Sequence, residues 1–334
     1  MAASASACRA QLVSEQGREH VWAYLARRLM YLLPVMLVVV SIVFLLIHLI
    51  PGDPAAVMAG ADATPDDVAR MRNVMGLDRP LYEQYGRWLF RTIQGDLGRS
   101  IFLERPVTTA IAERLEPTVL LTIFSLIVAL IIGLPAGVLS GAHPNTWLDK
   151  GMMVVAMLGV SIPAFWLGLN LIYLFAYKLR LFPPGNYVSL STSIPGGFYY
   201  MLLPSLSLGF GQSALIARMV RSCMLEVLAQ DYIRTARAKG LSEKIVVYVH
   251  ALRNAMVPTS TVIGMTIAVL MGGAVITETV FNIAGVGRLV VSSVLRRDYP
   301  VIQGVILFIA LVYVIVNILV DVLYCLIDPR IRYD

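Results

Sequence analysis

Charge is scarce in this chain: only 14% of its 334 residues are Asp, Glu, Lys or Arg, against about 25% in soluble domains. So few charges cannot furnish a fully water-facing surface, and a soluble globular protein is excluded. Cysteine is scarce too. Cys8, Cys223 and Cys325 show neither Cys-x-x-Cys spacing nor an even-numbered framework, which argues against a disulfide scaffold or a cysteine metal site. The four histidines, His20, His48, His143 and His250, are scattered, and no His-Glu-x-x-His occurs. A Gly-x4-Gly-Lys-[Ser/Thr] phosphate loop is also missing, so nothing equips the chain to hydrolyse a nucleotide itself. His48 closes the first apolar run, where an interfacial hydrogen bond is the expected use of its ring.

Apolar side chains are what the chain has in excess, at 58% of residues. They fall in six runs: Leu29–Ile50, Thr118–Ser140, Met152–Tyr177, Met201–Cys223, Pro258–Phe281 and Val301–Ile327. Each is close to the ~20 residues a helix needs to cross a hydrocarbon core of about 30 Å. In lipid every backbone N–H and C=O must be bonded internally, and isolated runs cannot close a barrel, so each run is a helix. The fold class is therefore an all-α integral membrane protein with six transmembrane helices. The first run follows Arg27 and Arg28 and is succeeded by Pro51-Gly52-Asp53-Pro54 in place of a small-residue cleavage site, which predicts a retained signal-anchor helix.

The net charge of +6 raises the question of nucleic acid, but the basic residues sit at the ends of the apolar runs. That placement fits lipid headgroups and membrane topology, and no nucleic-acid partner is expected. The side shared by both termini carries 14 Lys and Arg; the opposite side carries 13, of which 8 lie in one long loop. Long loops translocate regardless of charge, so the comparison is 14 against 5 and both termini are expected in the cytoplasm. All three cysteines then fall near the cytoplasmic side, where thiols stay reduced. The chain divides into a cytoplasmic tail (1–28), the first transmembrane helix (29–50), an extracytoplasmic helical loop (51–116), a five-helix core (117–327) containing a cytoplasmic segment (224–257), and a cytoplasmic C-terminus (328–334).

Within the long loop, Thr64 as N-cap, Pro65, Asp66 and Asp67 in the first turn and Gly76 as stop predict a helix. A second helix over Leu81–Ile93 places Leu81, Tyr85, Trp88 and Leu89 on one face, suited to the membrane interface or a docking surface. Gly133, Gly137 and Gly141 repeat every four residues and form a stripe where another helix can approach closely. Pro135, Pro163 and Pro204 are expected to kink or interrupt their helices. Ionisable residues are nearly absent from the middle of the spans: Glu278 and Asp321 lie near span ends, Asp321 within reach of Arg330, and Asn170 and Asn317 are the main interior polar groups.

The most informative stretch is Arg218 to Pro258. At 100° per residue Leu225, Leu228, Ala229, Tyr232 and Ala236 fall on one side, and Glu226, Gln230, Asp231, Arg234 and Arg237 on the other. Gly240 supplies a stop, and Ser242 with Glu243 a new start. Periodicity alone leaves open a basic amphipathic helix lying on headgroups. Residue order adds more. Arg234-Thr235-Ala236-x-x-x-Gly240 followed by Val257-Pro258 resembles the cytoplasmic signature of permeases in binding-protein-dependent ABC importers. Asp231 through Leu241 is similar to the dipeptide, oligopeptide, nickel and glutathione branch of that family. So are Ile50-Pro51-Gly52-Asp53-Pro54, Gly95-Asp96-Leu97-Gly98, Ser161-Ile162-Pro163-Ala164-Phe165, Arg288–Gln303 and Asp328-Pro329-Arg330-Ile331-Arg332-Tyr333. Two departures are visible: Ala284 stands where the family has Pro, and about 20 residues extend the N-terminus.

The resemblance implies the type I importer permease (MetI-like) fold in the cytoplasmic (inner) membrane. It implies pairing with a second, paralogous permease, two ATP-binding subunits that hold ATP and Mg, and an extracytoplasmic substrate-binding protein, with no cofactor on this chain. It further implies that a docking helix over roughly Leu228–Gly240 couples to the ATPase. Asp231, Tyr232, Arg234, Thr235, Ala236, Arg237, Lys239, Gly240 and Leu241 would make the contact, with Pro258 completing the signature. For the translocation pathway Met265, Met271, Glu278 and Asn170 are candidates, with helix packing for the methionines and a structural role for Glu278 as the alternatives. Dipeptides or oligopeptides are the expected cargo, glutathione or nickel the alternatives within the architecture. A channel or secondary transporter is the rival class, disfavoured by the uncharged middle of the spans.

Overall fold

The computed structural model describes residues 30, 32–49, 53–60 and 62–327. The tail 1–28 with Cys8, and the end 328–334 with Arg330, lie outside the described residues. The first span, α1, covers Leu32–Leu49. Three short helices follow, α2 (Pro54–Ala59), α3 (Pro65–Met75) and α4 (Leu81–Ile93), then the long α5 (Val107–Ala142). Next come α6 (Trp147–Ser161) and α7 (Ala164–Leu171), which runs on as a π-helical stretch to Lys178. The remainder is α8 (Ile194–Leu228), α9 (Asp231–Ala238), α10 (Glu243–Ile245) passing through a π-helical stretch into α11 (Leu252–Val280), α12 (Val286–Arg296) and α13 (Tyr299–Ile327).

Among the described residues five helices are long and apolar enough to cross a membrane: α1, α5, α8, α10–α11 as one, and α13. The third expected span is not straight. It is the pair α6 and α7, bent by 98°. The bend sits at Ile162, whose φ of −83° and ψ of 120° are extended. Pro163 is the cause, because its ring crowds the preceding residue out of the helical region. Pro135 and Pro204, by contrast, lie inside unbroken helices, and so does Pro258, so the helix expected to open at Ser242-Glu243 runs on through the fifth apolar run to Val280. Pro204 is buried in the bundle, whereas Pro135 and Pro258 lie on exposed faces of their helices.

The centre of the bundle is the contact between α5 and α8. A Cβ added at Gly133 would fall 2.7 Å from the Ser213 carbonyl oxygen, and one at Gly137 would fall 2.6 Å from that of Ala217. At Gly141 the obstacle is Met224 Cβ at 2.6 Å. Ile216, Val220 and Met224, also four residues apart and fully buried, form the opposing ridge. Gly209 returns the arrangement from α8, its absent Cβ facing the Ser125 carbonyl at 2.5 Å. Helices in lipid gain nothing from hiding apolar surface from each other, so close backbone approach and dispersion hold them together.

The loop helices take their expected places. Thr64 and Asp67 form a reciprocal capping box and Gly76 ends α3 at φ 69°. Asp53 caps α2 and accepts from Arg72 Nη2 at 2.8 Å, a cation that holds its carboxyl below the usual carboxylate range. Tyr85 and Trp88 of α4 pack on Phe44 of α1, with centroids 5.2 and 5.6 Å away, and the Tyr85 hydroxyl is 2.9 Å from Ser41 Oγ. His48 Nε2 lies 3.3 Å from Gln84 Oε1, the interfacial bond expected of it. One end of the bundle thus carries α2–α4 and α12, and the other carries α9.

Gly137→Val is expected to force α5 and α8 apart at a cost of about 1–3 kcal/mol, the range for overpacking. Gly151, with nothing within 4 Å of its added Cβ, is the control: Gly151→Ala should not destabilise. Thermal unfolding of the purified full-length protein checks both, and equal melting of the two variants would contradict the packing described.

Candidate functional site

Helix α9 stands at one end of the bundle. Gln230 has extended backbone (φ −76°, ψ 151°), which separates α8 from α9 and starts the short helix at Asp231 rather than at Leu228. The helical wheel drawn from Leu225 onward therefore fails across this joint. Ile233 is the one buried residue of α9; it packs in an apolar cluster with Met224, Val246 and Val247. Tyr232, assigned to the apolar side by periodicity, is 40% exposed instead, and its hydroxyl accepts from Asn254 Nδ2 at 2.8 Å.

Asp231, Arg234, Thr235, Arg237 and Lys239 are exposed and Ala236 is half-buried. Gly240 turns the chain with φ +79°, a left-handed conformation natural to glycine. Nothing in this chain lies within 4 Å of where its Cβ would be. Across the turn Arg237 Nε pairs with Glu243 Oε1 at 2.8 Å, and Arg234 reaches Asp231 at 3.3 Å. The result is a small, cation-rich helix held by Ile233, the half-buried Ala236 and the Tyr232–Asn254 hydrogen bond and otherwise exposed, followed by exposed Leu241. Pro258 is not part of it: it sits within α11, about 22 Å along the helix from Glu243 at 1.5 Å per residue.

Sequence reasoning missed the polar clamp that steadies this end. Asp149 of α6 is 3% exposed and accepts both Arg221 Nε at 2.6 Å and Nη2 at 2.8 Å. The same carboxylate accepts the Ser140 hydroxyl and the Asn145 backbone N–H at 2.9 Å. One side chain thereby joins the end of α5, the start of α6 and the last turns of α8. The signal available was Thr146, whose hydroxyl caps α6 by accepting from the Asp149 N–H three residues on.

At the opposite end Glu278 is fully buried with both oxygens engaged. Oε1 accepts the Thr118 hydroxyl at 2.6 Å, and Oε2 accepts the Arg288 N–H at 2.8 Å. Thr118 Oγ1 in turn accepts the Val286 N–H at 2.8 Å. Two side chains from two spans thus cap the N-terminus of α12, which lacks a side-chain cap of its own. The pathway candidates do not converge. Met265 is 62% exposed, Met271 half-buried, and Asn170 exposed with its Nδ2 donating to the Trp166 carbonyl of its own helix at 2.7 Å.

Residues 133–333 match the family described as the inner membrane component of binding-protein-dependent transport systems, and residues 21–122 match the N-terminal region of the same kind of component. A Brucella abortus protein provisionally described as a peptide transport system permease protein is 45% identical over 93% of this chain and 99% of its own length. The glutathione transport system permease protein GsiC of Escherichia coli is 44% identical over 93% of this chain and 99% of its own. Among solved structures, an inward-facing MetNI methionine ABC transporter superposes with a TM-score of 0.56 at 18% identity, over 66% of this chain and 96% of that one.

Arg221→Ala would leave Asp149 buried without its cation, and the single substitution is expected to cost about 3 kcal/mol or more. A double-mutant cycle with Asp149→Ala should give a coupling energy above ~1 kcal/mol by thermal unfolding. Additive effects would show that the pair contributes nothing beyond its parts.

Proposed function

The chain belongs to the family of inner membrane components of binding-protein-dependent transport systems, and from that premise we propose a division of labour between its two ends. It is a permease of an ABC importer, a transport component rather than a catalyst. Proteins of this kind act with ATP-binding and substrate-binding partners. The finer assignment is that α9 and its Gly240 turn face the cytoplasm and seat on an ATP-binding subunit. α12 and the 51–116 segment then face the side where the binding protein delivers cargo. Both termini are cytoplasmic in this reading, in keeping with the 14 basic residues on their side. The working unit is this chain, a paralogous permease, two ATP-binding subunits carrying ATP and Mg, and a binding protein; no cofactor belongs to this chain.

The observation that carries the reading is the α9 turn: a helix anchored by Ile233 yet exposed on nearly every other side. Such an element resists displacement while offering a protruding surface. Arg234 and Arg237 give it cationic character for an acidic groove, and the left-handed Gly240 permits the sharp return into α10. For cargo, the named relatives include peptide and glutathione permeases at almost equal identity. Glutathione is itself a tripeptide, so the class that covers both is short peptides.

Gly240→Val is expected to abolish uptake and the stimulation of ATP hydrolysis in the assembled transporter while leaving membrane insertion intact. A left-handed turn costs a β-branched residue about 1–2 kcal/mol locally, too little to unfold the bundle. Wild-type uptake by that variant would discard the coupling assignment. Uptake that survives vanadate but collapses with an uncoupler would favour a secondary transporter instead.

A further inference from the structure

Between the first turns of α5, the hairpin at residues 99–106 and one face of α12 lies a cavity of about 320 Å³. Three arginines line it: Arg114 from α5, and Arg288 and Arg296 from α12. Arg114 and Arg288 are half-buried, and the Arg296 guanidinium stands 6.0 Å from the centre of the Phe102 ring. Among the described residues none of the three makes an ion pair, and their one side-chain hydrogen bond runs from Arg114 Nη1 to the Ala110 carbonyl at 3.0 Å.

Three carboxylates nearby are already committed. Glu113 pairs with Arg105 at 2.6 Å. Asp298, buried in the wall, accepts the Ser100 hydroxyl at 2.5 Å and the N–H groups of Ile101 and Phe102 at 3.3 and 3.4 Å. Glu278 holds the N-terminus of α12 as described. Partly desolvated cations with no anionic partner carry a cost that an incoming anion relieves. The guanidinium fork is shaped for a bidentate oxyanion, and the volume lies at the small end of the ~300–1,000 Å³ typical of ligand pockets.

We propose that this cavity is a carboxylate subsite, which takes the terminal carboxylate of a short peptide arriving on the α12 side. The inference rests on the peptide reading above and adds to it a place and a chemistry. Every linear peptide presents that group whatever its side chains, so a site that reads it alone admits varied sequences. The same fork would accept a lipid phosphate, and the test separates the two.

The full-length chain in phosphatidylcholine nanodiscs is titrated with dialanine and with its C-terminal amide, followed by ligand-observed NMR. Saturable dialanine binding is expected, weakened at least 10-fold by amidation and equally by the double substitution Arg114→Gln, Arg288→Gln. Unchanged melting of that variant excludes misfolding; if it melts early, Arg296→Gln, at an exposed position, takes its place. Equal binding of acid and amide, undiminished binding by the variant, or no binding at all overturns the subsite. So does loss of wild-type dialanine binding when phosphatidylglycerol replaces part of the phosphatidylcholine, which would identify a lipid phosphate as the occupant. Uptake of dialanine and glutathione by the assembled transporter is measured separately. Carboxylate-selective binding without uptake of either removes the peptide reading and leaves the subsite; uptake with unselective binding does the reverse.

Discussion

The near-contact of the α5 and α8 backbones is the constraint to which the other elements are referred. Without side chains at Gly133, Gly137 and Gly141 the ridge of Ile216, Val220 and Met224 enters α5 itself, and Gly209 repays the intrusion from the other helix. Lipid offers no solvent-exclusion force to bring two spans together, so this steric fit and the dispersion it allows are what position them. At one end of the pair, Asp149 bridges both helices to α6. At the other, Thr118 of α5 receives the start of α12. Displacing α5 from α8 would therefore disturb both faces of the membrane.

Polar contacts in this protein are few and placed at ends. The bidentate Asp149–Arg221 pair, the Thr118–Glu278 cap and the Asp298 hub with Ser100 each join segments distant in sequence. Gln303 does likewise between α13 and α1, donating to the Val43 carbonyl at 3.0 Å. A buried polar group costs free energy unless bonded, so each of these fixes a single geometry rather than adding much stability. Among the described residues the middle of the bundle carries no charged pin of this kind, and the spans meet there mainly through side-chain packing. That is a suitable mechanical character for a permease driven from outside its own chain.

What could be read beforehand was whatever depends on local periodicity. The glycine stripe, the capping box at Thr64 and the bounds of α4 follow from spacing that neighbours in sequence enforce. The joint at Gln230 was not legible, since continuous amphipathic spacing from Leu225 hides a break that only the burial of Ile233 against Val246 and Val247 requires. Pro163 and Pro204 look alike in sequence, yet one breaks its span and the other does not. Pro204 is buried in the bundle and Pro163 is exposed. Arg221 reads as one more topology-setting cation, because its partner lies 72 positions away and one sequence cannot reveal the pairing. Glu278 was conspicuous as an acid near a span end, but its task depended on Thr118 and α12 arriving beside it.

From Glu243 to Val280 the chain is one uninterrupted helical rod of 38 residues, about 57 Å long at 1.5 Å per residue. Its first turn adjoins Gly240, and its last carries Glu278, the residue that grips α12. A rod of this length works as a lever: a tilt of roughly 5° about one tip sweeps the other through about 5 Å. The π-helical stretch at Val246–Ala251 and Pro258 are irregular positions of that lever, both nearer its Glu243 tip. A tilt of that rod would link the Gly240 turn at one tip to the helix that walls the arginine-lined cavity at the other.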